Sequence, residues 1–390
     1  MSRIAYTGAR IFDGESWWDR SALVVDGDRI EGIIAADSPT DARRVPMGGG
    51  ILAPGFIDLQ VNGGGGALFN LTPDVATIEV ICGTFTRFGT VACLPTFITE
   101  TPAKTAEAMA AGIEAAKRGV PGFLGLHLEG PHLSVARKGA HDPALIRPMD
   151  ETDLMALVEA RKALPNLLVT VAAETVTPNQ ITRLHDAGIV VSIGHSDAPY
   201  GMVRAAAEAG ATMVTHLFNA QSQMGNRDAG VVGAALDLGS LSAGLIADGI
   251  HVSEVSLGIA LRSKRAPGHI FLVTDAMSPT GTEVMQFELT GRTVYRKDGA
   301  LRLADGTLAG ADLTMIDAVT YVHRTLGLPL EEALRMASLY PAQALGVAAE
   351  RGALKPGLRA DLVHLTDELE IAGTLIGGTA AESTELGWSG

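Results

Sequence analysis

Two histidines and two carboxylates stand where apolar runs end. His195 closes Ser192-Ile193-Gly194-His195, His216 closes Val214-Thr215-His216, Glu129 closes Leu126-His127-Leu128-Glu129, and Asp275 closes Phe271-Leu272-Val273-Thr274-Asp275. Two imidazoles and one carboxylate, with a fourth position open, are a donor set for a catalytic zinc or iron ion, and manganese also suits it. A further carboxylate beside such an ion can accept a proton from water and return it to a leaving group. Each residue also has a plainer reading. The histidines could simply hydrogen-bond at the mouth of a barrel, Glu129 could be a solvated loop residue, and Asp275 could tie down a loop by accepting backbone N–H bonds. His251, in Ile246-Ala247-Asp248-Gly249-Ile250-His251, is either a ligand contact or a support for one. Arg227, in Met224-Gly225-Asn226-Arg227-Asp228, matters if the substrate is an anion.

The elements that position these groups follow a rhythm. Eight apolar, β-type runs recur: 51–60, 90–97, 123–129, 167–174, 189–195, 212–219, 243–248 and 270–275. Stretches rich in Ala, Glu, Met and Lys separate them, for example 102–118, 152–163 and 200–209, and these predict helices. This alternation predicts an α/β fold, a (β/α)8 TIM-like barrel, with a doubly wound sheet as the alternative. The runs end in Gln60, Thr96, Glu129, Glu174, His195, His216, Asp248 and Asp275. Six of those eight can bind metal or move a proton, and a barrel carries its chemistry on that face. The first run ends in Gln60 and Asn62, which point the same way on a strand, followed by four glycines, Gly63 to Gly66.

Before and after the barrel rhythm the chain alternates short β-rich pieces with turns such as Asp26-Gly27. This predicts a small β-sandwich domain from both chain ends, residues 1–52 plus 353–390, around a catalytic barrel at 53–352. The 390 residues are 47% apolar and 19% charged, and no apolar run reaches the ~20 residues of a membrane span. The N-terminus lacks the pattern of a secretory signal, and two cysteines make no disulfide framework, so the expectation is a cytoplasmic protein. A net charge of −14 argues against nucleic acid or an anionic membrane as partner. Any small anionic ligand would need locally placed cations.

Eight segments in order, PGFIDLQVNGGGG, HLEGPHLS, KGAHDP, SIGHSDA, THLFNAQSQM, ADGIHV, LVTDAMSPTG and LAGADLTMIDAV, closely resemble the N-acetylglucosamine-6-phosphate deacetylase family within the amidohydrolase superfamily. They span residues 54 to 319. The resemblance implies a cytoplasmic, homodimeric hydrolase of amino-sugar catabolism that cleaves N-acetyl-D-glucosamine 6-phosphate to D-glucosamine 6-phosphate and acetate. It implies one divalent ion per chain, zinc first with iron or manganese as alternatives, held by Glu129, His195 and His216. Asp275 would be the general base and acid, activating an ion-held water, and His141 would polarise the acetyl carbonyl. His251, Arg227, Asn219, Ala220 and His141 would contact substrate, Arg227 chiefly at the phosphate.

The sequence departs from the wider superfamily pattern in three places. Gln60 and Asn62 stand where many relatives carry His-x-His, which suggests that a second metal position has been deleted. No lysine ends the fourth run, where only Glu174 is available. Ala220-Gln221-Ser222-Gln223 replaces the more usual Ala-Met text. Two other readings are a cyclic amidase or deaminase acting on an uncharged ring, and a barrel that has kept binding and lost catalysis.

Overall fold

A computed structural model describes residues 3–381. The chain divides into two compact units. One takes the chain up to Asp58, Gly83–Ala92 and the chain from Thr314 onward; the other takes Leu59–Cys82 and Cys93–Leu313.

The second unit carries nearly all of an eight-stranded barrel: β1 (Phe56–Val61), β2 (Thr90–Ile98), β3 (Leu126–Glu129), β4 (Leu167–Val171), β5 (Val190–Ile193), β6 (Met213–Val214), β7 (Ser242–Leu245) and β8 (Ile270–Leu272). Neighbours in the sheet are neighbours in sequence, and β2 to β8 pair in parallel throughout. The ends meet where Asp275 N–H donates to Gln60 O at 2.9 Å and Asn62 N–H to Ala276 O at 2.8 Å. β1 and β2 are buried at every position, as expected of strands covered on both faces.

Helices α1 (Val75–Thr86), α2 (Pro102–Arg118), α3 (Glu151–Arg161), α4 (Pro178–Asp186), α5 (Tyr200–Glu208), α6 (Gly230–Asp237) and α7 (Glu254–Ser263) follow the first seven strands. Their limits are written locally. Thr101 caps α2 ahead of Pro102, and Gly119 closes it at φ 64°. Capping boxes start α3 (Asp150 with Asp153) and α4 (Thr177 with Gln180).

Beyond β8 a four-stranded antiparallel meander, Gln286–Leu289, Arg292–Lys297, Ala300–Leu303 and Leu308–Ala311, packs its apolar side on Leu68, Ile98 and Met277. Two of its turns are the two-residue pairs Thr290-Gly291 and Asp298-Gly299, all four residues at positive φ, as such tight hairpins require. The alternating rhythm of the sequence predicts no element here.

In the other unit, a four-stranded sheet (Arg29–Ala35, Ser21–Asp26, Ile4–Thr7, Arg43–Pro46) and a six-stranded sheet that includes Ile51–Pro54, Arg10–Phe12, Leu362–Leu365 and Ile371–Ile376 share a core. Leu23, Val25 and Ile30 from the first meet Ile11, Leu52, Leu362 and Leu375 from the second, which is the packing of a sandwich. The run read as one strand over 51–60 is two strands in two sheets. Pro54 ends the first, and at Gly55 any Cβ would sit 2.3 Å from Val91 Cγ1.

The barrel strands end earlier than the apolar runs suggested. Glu174, His195, His216, Asp248 and Asp275 lie two or three residues past β4, β5, β6, β7 and β8, in the loops those strands launch.

Candidate active site

Three of those loop residues occupy backbone conformations that side chains avoid. His195 has φ 46°, His216 φ 27° and Asp275 φ 53°. Left-handed backbone costs a non-glycine residue roughly 1–2 kcal/mol. Strain recurring at the end of three strands on one face marks residues whose direction matters more than their comfort.

The direction is inward. Glu129 Oε1 lies 3.1 Å from His195 Nε2 and 3.0 Å from His216 Nε2, and the two nitrogens are 3.1 Å apart. All three side chains are buried. His195 Nδ1 lies 2.8 Å from the carbonyl of Arg137, which can only accept, so Nδ1 carries the proton and Nε2 offers a lone pair to the cluster. The loop is held further by Glu174, whose oxygens take Ser196 Oγ at 2.5 Å and Asp197 N at 2.7 Å. Gly130 follows Glu129 at φ 88°, and a Cβ there would lie 2.2 Å from Thr99 Oγ1.

A carboxylate and two ring nitrogens packed this closely fit a divalent cation. Between themselves they can share few protons, whereas a borderline-soft ion satisfies every lone pair at once. Burial works against Glu129's charge, but its bonds to His195 and His216 hold its pKa well below the ordinary carboxylate value. Burial likewise works against charging His216, and the bond to Glu129 outweighs it, raising the His216 pKa.

His141 adjoins this trio. Donor atoms of Glu129, His141 and His195 lie within 4.8 Å of one another, and the His141 and His195 rings meet edge to face at 4.4 Å. His141 Nδ1 pairs with Thr99 Oγ1 at 2.8 Å. Burial, then the neighbouring His195, push the His141 pKa down to about 3, so its ring is neutral at working pH.

Asp275 faces the trio from the other side of the barrel mouth. Asn62 Nδ2 donates to its Oδ1 at 2.7 Å and Gln60 Nε2 to the same oxygen at 3.1 Å. Gln60 Nε2 also reaches both Glu129 oxygens, at 3.4 and 3.3 Å. Burial, then the charge of Glu129, raise the Asp275 pKa to about 6, with His216, His251 and the Asn62 bond pulling the other way. Beneath the site His127 pairs with Thr170 at 2.7 Å, and the hydroxyls of Thr170, Thr215 and Ser192 continue the chain at 2.6 Å each.

A cavity of about 330 Å³ opens over these groups, large enough for a small polar ligand. Glu129, His141, His195, His216, Asn219, Ala220, His251 and Asp275 all line it. Arg227 does not; it is exposed on the loop before α6. The lining also includes Arg137, Leu289 and Thr307–Gly310, which the sequence reading did not select. Leu289 and Thr307–Gly310 carry no group that binds metal or titrates, although Leu308–Gly310 open the matching segment LAGADLTMIDAV. Arg137 lies in the same loop as His141 and is a basic residue at an otherwise acidic site.

The four glycines have a structural account. Gly63 and Gly64 pair with Leu68 and Ala67 in a tight hairpin turned by Gly65 (φ 62°) and Gly66 (φ 87°). Gly65 and Gly66 N–H donate to Thr280 and Ser278, and a Cβ on Gly63 would lie 2.8 Å from Ser278 N. The run lets the backbone after β1 lie directly on the backbone after β8.

An amidohydrolase family model matches residues 51–381, and the chain belongs to that family. At 39% identity over 95% of this chain and 94% of the relative, it is similar to N-acetylgalactosamine-6-phosphate deacetylase of Shewanella sp. (strain ANA-3). At 36% identity over 93% and 95%, it is similar to N-acetylglucosamine-6-phosphate deacetylase of Haemophilus influenzae. The crystal structure of N-acetylglucosamine-6-phosphate deacetylase from Pasteurella multocida superposes with a TM-score of 0.93 at 37% identity, covering 97% of this chain and 99% of that one. A mutant of the Mycobacterium smegmatis N-acetyl-D-glucosamine-6-phosphate deacetylase, in complex with N-acetyl-D-glucosamine-6-phosphate, superposes at 0.91 with 29% identity, covering 98% and 100%.

Proposed function

We propose that this chain hydrolyses the acetamide of N-acetylhexosamine 6-phosphates, N-acetyl-D-glucosamine 6-phosphate foremost, to the free amine and acetate. The observation that carries the reading is the placement of Asp275, fixed by Asn62 and Gln60, across one cavity from Glu129, His195 and His216. Those three would hold one divalent ion, zinc first and iron or manganese as alternatives. When bound, the ion would acidify water and polarise a carbonyl. Asp275 Oδ1 is taken up by the two amides, which leaves Oδ2 to accept a proton from the attacking water. As the amide C–N bond breaks, the same carboxyl returns that proton to the departing amine. We assign the 2.8 Å pair of Thr99 Oγ1 and His141 Nδ1 to donation from the hydroxyl; neutral His141 would then carry its proton on Nε2 and stabilise the oxyanion.

His251, Asn219 and Ala220 line the cavity where a sugar phosphate would extend. Arg227 lies outside it, so a phosphate contact from Arg227 would require a homodimer in which it reaches the neighbouring copy's cavity. Cys82 and Cys93, buried thiols not joined in a disulfide, with sulfurs 3.7 Å apart, suit a reducing, cytoplasmic setting. The galactosamine isomer is a second reading, favoured by the 39% identity to the Shewanella enzyme.

Amine release decides among these. The reading expects turnover of the 6-phosphates, far less of the unphosphorylated sugars, and loss with a chelator that added zinc or iron reverses. Turnover of uncharged cyclic amides with none of N-acetylhexosamine 6-phosphates would overturn it.

A further inference from the structure

Lys138 to His141 belong to no helix or strand, yet this short segment touches both the ion trio and the meander. The backbone carbonyls leading to His141 are all engaged. Arg137 O takes His195 Nδ1 at 2.8 Å, Lys138 O takes the His141 N–H at 3.0 Å, and Gly139 O takes Lys138 Nζ at 3.4 Å. Ala140 O accepts from Nη2 of Arg292, which opens the meander strand Arg292–Lys297. The Ala140 side chain packs on the apolar core of the same meander. The guanidinium is itself held: Thr290, at φ 48° in the preceding turn, offers Oγ1 to the same Nη2 at 3.3 Å. On its other side the segment lies against the trio, since a Cβ at Gly139 would stand 3.2 Å from His195 Cε1.

We propose that Arg292 is a positioning residue for the hydrolysis: its bond to Ala140 O clips the 137–141 segment to the meander and so fixes His141 beside the ion site. The physical reason is a matter of restraints. Thr99 Oγ1 holds the His141 ring at Nδ1, 2.8 Å away, but a single contact at the ring does not fix the backbone that carries it. Gly139, at φ 56°, gives the chain wide backbone freedom two residues earlier. A bond from a charged donor to the carbonyl next to His141 removes that freedom, and such a bond is stronger than one between neutral groups. A group that stabilises an oxyanion works only within hydrogen-bond distance of the developing charge, so a small displacement lowers kcat. The meander, which also walls the cavity through Leu289 and Leu308, thereby acts on the chemistry through Arg292.

This rests on the reading of His141 as the oxyanion's partner, and the test separates the two. Metal-loaded wild type, Arg292→Ala, Arg292→Lys, His141→Gln and the Arg292→Ala/His141→Gln double variant are assayed on N-acetyl-D-glucosamine 6-phosphate, with bound metal measured in each. Expected for Arg292→Ala is a fall in kcat of roughly tenfold or more, with KM moved much less and metal content unchanged. Arg292→Lys keeps a charged donor and should recover part of the loss. In the His141→Gln background, Arg292→Ala should cost little more. Losses that add, a matching fall in metal content, an unchanged kcat or no recovery by lysine would overturn the assignment. A normal kcat in His141→Gln would sink the oxyanion reading, and the proposal with it. A second readout needs no turnover: deuterium exchange of the backbone amides over 135–142, followed by mass spectrometry in the same proteins. Should wild type turn over no N-acetylhexosamine 6-phosphate, the substrate reading fails alone and exchange decides the rest. Faster exchange in Arg292→Ala, restored by lysine, supports the clip, and unchanged exchange refutes it.

Discussion

Asn62 donates to Asp275 across 2.7 Å, joining the end of β1 to the end of β8 where the barrel closes. Gln60, two residues earlier, touches Asp275 and Glu129 together. Two carboxamides thus hold two carboxylates in register, a task for which a neutral donor suits better than a histidine competing for metal.

The bond from Asn62 favours ionised Asp275 and so works against the burial that raises its pKa to about 6. The base must be ionised to accept a proton, so kcat/KM should rise with pH through the Asp275 titration. Asn62→Leu removes the donor, and the acid limb should move to higher pH. An acid limb that stays put in this variant would show that Asn62 does not tune the base.

The same shift has a stability consequence of definite sign. A carboxyl whose folded pKa is raised to about 6 contributes stability that is fully present below its unfolded pKa near 3.9 and lost as pH rises through 6. Metal-free Asp275→Asn should therefore be more stable than metal-free wild type at pH 7.5, by about 1–3 kcal/mol, with the difference vanishing below pH 4. Thermal unfolding at both pH values measures this; a variant less stable at pH 7.5 contradicts it.

The barrel and its eight strands were legible, as were the polar residues gathered at their ends, because periodicity and strand-end composition are local properties of sequence. Other features were not. Ile51 to Gln60 reads as one apolar run although Pro54 and Gly55 break it between two sheets. The meander over 286–311 is a short-strand insertion whose apolar residues alternate too briefly to stand out, yet it walls the cavity through Leu289 and Leu308. The left-handed backbone at His195, His216 and Asp275 has no sequence signal, because the surrounding fold imposes it. Arg227 lies outside the cavity its motif suggested, since a motif gives order along the chain and not reach in space.

One ion per chain is expected, because Gln60 and Asn62 are poor ligands and already engaged with Asp275. Elemental analysis of the purified protein should give a ratio near one, and Glu129→Gln should lose most of it. At a metal concentration 100 times Kd, binding should stabilise wild type by about 2.7 kcal/mol and leave that variant nearly unmoved. A ratio near two, with both positions full, would refute the single-ion reading.

Thr99 is the partner that orients His141. Thr99→Val keeps the volume and removes the hydroxyl, so kcat should fall by about tenfold while metal content stays at the wild-type level. A fall in metal content of the same size would instead make His141 part of the ion's own ligand set.

The central claim is that Asp275 moves the proton while Glu129, His195 and His216 hold the ion. It is tested most directly by measuring amine release from N-acetyl-D-glucosamine 6-phosphate by Asp275→Asn together with its bound metal. The predicted result is a full complement of metal with kcat lowered roughly 10²- to 10⁴-fold. Near-normal turnover at full occupancy would contradict it.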